Sequence, residues 1–286
     1  MSIGSCNKFV SFSLALSLPT FVKQLATSKI TFCYSYNINR KYLTTTRCFN
    51  YPHLETLNSR QKEQICIYVD ALLQWNQRMN LTAVKETSEV MERHVEDSLA
   101  IIPPIQNYYL SNCSSSCDNI SLVDVGSGPG LPGLIIAIAC PGWKVTLLES
   151  MNKRCLFLEH AVGLTGLSNV QILRARAESV GQNLDFREMY DVAVARAVAE
   201  MRILAEYCLP LVRVGGLFVA AKGHEPQDEI RKAEKAIHLM GASILQLFSV
   251  ESHSPHGQRT AIVCLKDRPT PRKYPRDPGT PTKLPL

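Results

Sequence analysis

The chain has no acidic residue in its first fifty positions, no Cys-x-x-Cys pair among its ten cysteines, and no apolar run long enough to span a bilayer. Each absence excludes something. The acid-free stretch is rich in Ser and Thr and carries Lys8, Lys23, Lys29, Arg40, Lys41 and Arg47, the composition of an organelle transit peptide. A secretory signal competes, since residues 10–18 are apolar, but serines interrupt that run and the basic residues continue well past it. The run also falls far short of the roughly 20 residues of a membrane helix, so no membrane partner is expected. Without a clean arginine-rich amphipathic helix, the leader points to the chloroplast over the mitochondrion. Residues 1–50 are set aside from the fold.

Irregular cysteine spacing argues against both a disulfide framework and a zinc site. Cys113 and Cys117 come nearest to a metal-like spacing, in a serine-rich loop without neighbouring histidines, so reduced thiols and no metal are expected. The net charge of +6, from 31 basic and 25 acidic residues, is carried by the leader, whose six basic residues meet no acid. The remainder is neutral, with a basic segment at 266–286 and a slightly acidic body. Any RNA-binding surface must therefore be local.

What the sequence does have is LVDVGSGPGLPG, residues 122–133. Leu122, Val123 and Val125 read as a short buried strand. Gly126, Gly128, Gly130 and Gly133 remove Cβ where backbone bends sharply or approaches a ligand, and Pro132 suits the first turn of a helix. This is a strand, turn and helix N-terminus of the kind that holds a nucleotide-type cofactor.

Upstream, Ile65, Val69, Leu72 and Trp75 recur at helical spacing over residues 59–78, with Ser59 available as N-cap. A second helix is expected over 89–102, stopped by Pro103 and Pro104. Residues 51–106 thus form an N-terminal helical extension, and 107–120 a polar linker. Strands at 121–126, 144–149, 170–174, 190–196 and 216–222 follow, with helices at 132–140, 152–166, 200–212 and 226–240. Strands at 243–250 and 260–265 close the domain, 121–266. Such alternation implies an α/β, doubly wound sheet. No helical pattern separates the last two strands, so they pair as a hairpin and the final strand runs antiparallel. The tail, 267–286, is basic and proline-rich. Its prolines forbid a helix and favour an extended, solvated segment, lying along RNA or wrapping the domain.

Glu149 ends the second strand, where a carboxylate can accept both hydroxyl protons of a ribose. Ala177 and Glu178 follow the third strand, beside the place an adenine would take. Arg196 and Lys222 end the fourth and fifth strands, on the rim where open α/β sheets keep their crevice; they either hold an anionic group or pair with neighbouring acids. Arg93 with Asp97, and His94 with Asp97, share one face of the second predicted helix.

Six blocks in order carry a resemblance: WNQRMNLTAV, RHVEDS, VDVGSGPGLPG, LLESMNKRCLFLEH, VARAVA and AAKG. From about residue 60 onward the chain resembles the ribosomal small-subunit methyltransferase G family, also called glucose-inhibited division protein B. The resemblance implies a class I S-adenosylmethionine-dependent methyltransferase fold of seven strands. It also implies methylation of a guanine N7 in the 530 loop of 16S-type rRNA, with S-adenosylmethionine as cofactor. The partner would be small-subunit rRNA or the 30S-type subunit, and the chain a monomer. Family cofactor contacts would fall on Gly126, Leu131, Ala177, Glu178 and Arg196, beside the glycines and Glu149 read above. Asn80, Arg93, His94, Asp97 and Lys222 are candidates for positioning the base, with no residue assigned as acid or base. Many members have aspartate where this chain has Glu149, and bacterial members lack the leader. Two other classes stay open: an NAD-dependent oxidoreductase, since Gly128, Gly130 and Gly133 also fit a dinucleotide fingerprint, and a non-catalytic rRNA-binding protein of the same fold.

Overall fold

The computed structural model describes residues 51–113, 116–196, 198–223, 226–250 and 259–286. The predicted leader lies outside them. Seven strands form one sheet: β1 (Ser121–Val125), β2 (Lys144–Glu149), β3 (Val170–Arg174), β4 (Tyr190–Arg196), β5 (Val212–Lys222), β6 (Ala242–Val250) and β7 (Arg259–Lys266). Their order is β3-β2-β1-β4-β5-β7-β6, with β7 antiparallel to both of its neighbours and the other pairings parallel. This is the class I methyltransferase arrangement that the sequence pattern predicts.

The period of two along each strand sorts side chains onto two faces. Leu122, Val192, Val194, Leu217 and Val219 enter one apolar layer. The alternate residues Val123, Val125, Ala193, Ala195 and Phe218 enter the other. Helices α1 (Ser59–Met79), α2 (Ile102–Asn112), α3 (Gly133–Ala139) and α4 (Asn152–Thr165) cover the first face. Helices α5 (Ala177–Gln182), α6 (Met201–Cys208) and α7 (Gln227–Leu239) cover the second. The N-terminal extension belongs to the core. The Phe157 ring of α4 packs 5.6 Å from Trp75 and 6.3 Å from Tyr68 of α1, centroid to centroid.

Several boundaries differ from the predicted ones, each for a local reason. The N-cap of α1 is Asn58, not Ser59: its side chain accepts the Gln61 N–H, and Gln61 returns a bond from its own side chain at 3.0 Å, a capping box. Pro103 and Pro104 open α2 instead of ending its predecessor, because the first helical turn needs no N–H donors. Residues 107–112 are accordingly helical and not linker, anchored by buried Ile105 and Tyr109. The single helix predicted over 89–102 is instead Thr87–Val90, a π-helical turn Met91–Glu96, and Asp97–Leu99. The tail is neither fully extended nor solvated. Thr270 and Tyr274 are buried, and Thr280–Lys283 forms a short helix that carries Pro281 in its first turn. The seven described cysteines are unpaired; Cys155, Cys208 and Cys264 are buried, and Cys66 is exposed. No described helix is long and apolar enough to cross a membrane.

Between β1 and α3 the chain turns through Gly126, Gly128 and Gly130, with φ of +73°, +59° and +94°, a region that strains L side chains. Asp124, fully buried in β1, accepts the Gly133 N–H at 2.8 Å. Burial pushes its carboxyl from 3.8 up to about 7, against the Gly133 N–H and Arg196, which lower it. The folded state therefore keeps a proton that the unfolded chain releases. This contribution to stability is full below about pH 4 and lost as pH climbs through about 7.

Two outcomes follow from this packing. In urea unfolding at a series of pH values, Asp124→Asn should lose the decline between about pH 4 and 7, so its midpoint should gain on wild type as pH rises. Phe157→Ala should lower unfolding free energy by about 3–5 kcal/mol, in one transition seen alike by Trp fluorescence and far-ultraviolet circular dichroism; two separated transitions would show α1 to be an independent unit.

Candidate functional site

The site grows from the carboxyl ends of β1, β2 and β4. Leu148 lies opposite Val125 in the parallel register, so Glu149 projects one residue further and reaches the glycine turn. Its carboxylate is 3% exposed and accepts the Gly128 N–H at 3.0 Å and the Met151 N–H at 2.8 Å. Arg154, in the first turn of α4, approaches the same carboxylate at 3.5 Å.

Two cavities open over these strand ends. The larger, about 440 Å³, is bounded by Gly126, Gly128, Leu131, Glu149 and Arg196 on the sheet side and by Leu81, Thr82 and His94 on the side of the N-terminal extension. The smaller, about 110 Å³, is bounded by Ala177, Glu178, Arg176 and Tyr207. Gly126, Ser150 and Val198 border both. A Cβ on Gly126 would stand 2.8 Å from Val198 Cγ2, so only glycine lets the two meet here. Together the two cavities make one bent hollow that turns at Gly126. The carboxylates of Glu149 and Glu178 are the hydroxyl and amino acceptors available within it.

Most sequence-predicted residues come together, but not all. Gly126, Gly128, Leu131, Glu149, Arg196 and His94 border the larger cavity, and Ala177 and Glu178 the smaller. Gly130 faces away: a Cβ there would strike Leu134 Cδ1 at 2.4 Å, so it serves the packing of α3. Asn80 is an exposed αL residue that ends α1, with φ of +49°; its neighbours Leu81 and Thr82 reach the cavity instead. Arg93 pairs with Glu89 at 3.4 Å, and Asp97 is buried at the end of the π-helical turn; neither borders a cavity. Lys222 takes the ion-pair alternative. Its Nζ donates to Glu229 Oε1 at 2.5 Å and to the Ala199 carbonyl at 2.6 Å, which braces the segment after β4 from behind.

His94 has a defined setting. Its Nδ1 lies 3.1 Å from the Arg93 carbonyl, to which it donates, and its Nε2 lies 2.8 Å from Thr82 Oγ1. The Thr82 oxygen in turn accepts the Val84 N–H. Both ring nitrogens are thus engaged. The π-helical turn that carries it is an irregularity often found at functional sites.

Thr82, Arg154, Ser150, Val198 and Tyr207 were not singled out from sequence. Thr82, Ser150, Arg154 and Val198 sit inside the quoted blocks and carried a signal there. Tyr207 carried none, since it lies on a helix far along the chain. Among the described residues no group of three or more His, Cys, Asp or Glu is placed to hold a metal ion.

Known structures with a distant likeness include MtNAS in complex with MTA and tNA (13% identity, 73% of this chain and 74% of that one, TM-score 0.47). Another is Aeropyrum pernix fibrillarin with natively bound S-adenosyl-L-methionine (15% identity, 51% and 66%, TM-score 0.40). Sequence relatives are far nearer. The ribosomal RNA small subunit methyltransferase G of Alkaliphilus oremlandii is 43% identical over 230 residues, 80% of this chain and 92% of its own. The Bacillus cereus protein of the same name is 41% identical over 231 residues, 81% and 93%. The family model described as rRNA small subunit methyltransferase G matches residues 61–259, a span that takes in all but the first two residues of α1, the glycine turn and both cavities. With the site and the sequence pointing the same way, the chain is a member of the rRNA small subunit methyltransferase G family and groups with methyltransferases, not NAD-dependent oxidoreductases.

Proposed function

We propose that this protein is an organellar enzyme, of the chloroplast by its leader, that methylates guanine N7 in the 530 loop of 16S-type small-subunit rRNA. S-adenosylmethionine is the methyl donor. The observation that carries this reading is the pair of cavities joined at Gly126: the cofactor fits along them, and the larger one continues past Arg196 to Thr82 and His94. The adenosine end belongs beside Ala177 and Glu178. Glu149 serves the ribose, and Gly126, Gly128, Leu131 and Arg196 serve the amino-acid portion. When bound, the cofactor supplies an electrophilic methyl group on a sulfonium sulfur.

Guanine N7 carries a lone pair and no proton, so no general base is needed to activate it. The protein supplies alignment, bringing N7 to about 3–3.5 Å from the methyl carbon in line with the sulfur. Thr82 and His94 form the wall facing that position. With both ring nitrogens of His94 engaged, by Thr82 and by the Arg93 carbonyl, the ring is held in one orientation, which suits a positioning role. Arg154, partly exposed beside the larger cavity, suits the flanking phosphates. Arg93 and Asp97 shape the turn that holds His94, while Asn80 and Lys222 brace the site from outside. A single-stranded rRNA loop lets the base leave its stack at lower cost than a duplex. The protein acts as a monomer, without metal, on the rRNA or the small subunit.

N7-methylguanine mapping in plastid and mitochondrial small-subunit rRNA, with and without this protein, tests the assignment; loss of the mark from plastid rRNA alone is expected. Gly128→Val, at φ of +59°, should weaken S-adenosylmethionine binding at least tenfold by calorimetry, since a β-branched residue cannot take that backbone. His94→Ala should slow methyl transfer while leaving the pH–rate profile parallel to wild type; loss of a titrating limb near neutrality would instead make His94 a proton acceptor.

A further inference from the structure

The 110 Å³ cavity has two polar walls, and both are held by the C-terminal tail. Glu178, 3% exposed, accepts the Gly279 N–H on Oε1 at 2.9 Å. Tyr207, which also lines the cavity, places its hydroxyl 2.9 Å from Thr282 Oγ1. The tail is pinned on the way to these contacts. The Lys266 ammonium, fully buried, donates to the Leu209 carbonyl at 2.8 Å and to Thr270 Oγ1. Arg187 gathers the carbonyls of Gly181, Thr270 and Tyr274 at 2.7–2.8 Å. Arg276 forms a two-pronged pair with Glu206, which is 0% exposed and adjoins Tyr207 in α6; Nε and Nη2 approach it at 2.9 and 2.6 Å.

These contacts give the tail one register against α5 and α6. The Gly279 N–H fixes one oxygen of the buried Glu178 carboxylate, which Arg176 Nη1 approaches only at 3.9 Å, and a phenol ring on a helix can swing about χ1 and χ2 unless it is held. Gly279 has φ of +84°, which turns its N–H toward Glu178 at a backbone angle that L side chains rarely adopt. The short helix that follows, Thr280–Lys283, brings Thr282 over Tyr207.

We infer that the tail, through Gly279 and Thr282, is a positioning element of the cofactor site, presetting Glu178 and Tyr207 for the adenosine end of S-adenosylmethionine. The inference rests on the reading above that this end occupies the smaller cavity. Order fixed before binding lowers the entropy lost on binding, so the tail acts on affinity for adenosine-bearing ligands and not on the methyl-transfer step. It also gives the basic tail an inward role in place of one along rRNA.

Full-length Gly279→Pro, which removes the N–H and cannot adopt the positive φ, and Thr282→Val test this directly. Calorimetry with S-adenosylmethionine and S-adenosylhomocysteine should show Kd raised about tenfold for Gly279→Pro and about threefold for Thr282→Val. KM for S-adenosylmethionine should rise in step, with kcat at saturation and KM for small-subunit rRNA within twofold of wild type. Unchanged Kd in both variants, or a rise in KM for rRNA alone, would overturn the inference. If Gly279→Pro misfolds by circular dichroism, Thr282→Val decides in the same way. Ala177→Trp, which fills the cavity, separates the two layers. Unchanged cofactor binding in that variant removes the cavity assignment, whereas lost binding there with unaffected tail variants removes the tail's role alone.

Discussion

Two buried acidic side chains hold the glycine turn in place, and the site is built on that restraint. A turn that leads into a helix leaves backbone N–H groups without helical partners, and leaving them buried and unpaired costs about 1–3 kcal/mol each. Asp124 takes the Gly133 N–H from beneath, and Glu149 takes the Gly128 N–H from the adjoining strand. Because Glu149 arrives through the β1–β2 register, the position of the turn is a property of the sheet. The cavities, Arg196 and the Val198 contact are then placed relative to one strand end.

The N-terminal helices complete this arrangement from the other side. The Tyr68 hydroxyl donates to the Pro129 carbonyl at 3.0 Å, inside the glycine turn, and Gln61 donates to the Ile138 and Ala139 carbonyls at the end of α3 at 2.9 Å. The extension thus grips both ends of the turn and its helix. It brings Leu81, Thr82 and His94 to the cavity from a layer that a generic cofactor-binding sheet does not have. In the functional reading, the sheet holds the cofactor and the extension faces the base.

Legibility in the sequence followed how local each determinant is. The bounds of β2, β3 and β4 are those predicted, because short apolar runs between turn residues leave little alternative. Gly126, Gly128, Glu149 and Arg196 could be named from motif and strand end alone. Pro103 and Pro104 were read the wrong way because proline is as acceptable in a first helical turn as it is disruptive beyond one. The six residues of α5 are too few to show a helical period. Glu229 lies only seven residues beyond Lys222, yet nothing in the sequence marks it as that lysine's partner. The place of Tyr207 depends on the tail's path, a tertiary juxtaposition that no window of sequence contains.

The π-helical turn has a second anchor with a different reach. Glu96, at its end, is 7% exposed and accepts the backbone N–H of Leu54 at 2.9 Å and the His53 ring nitrogen at 2.9 Å. The four residues Pro52–Glu55 thus supply donors to a buried acid in the same turn as His94. Residues 52–55 are therefore part of the footing of the site: a chain shortened past Tyr51 would lose the donors to Glu96 and loosen the turn above it.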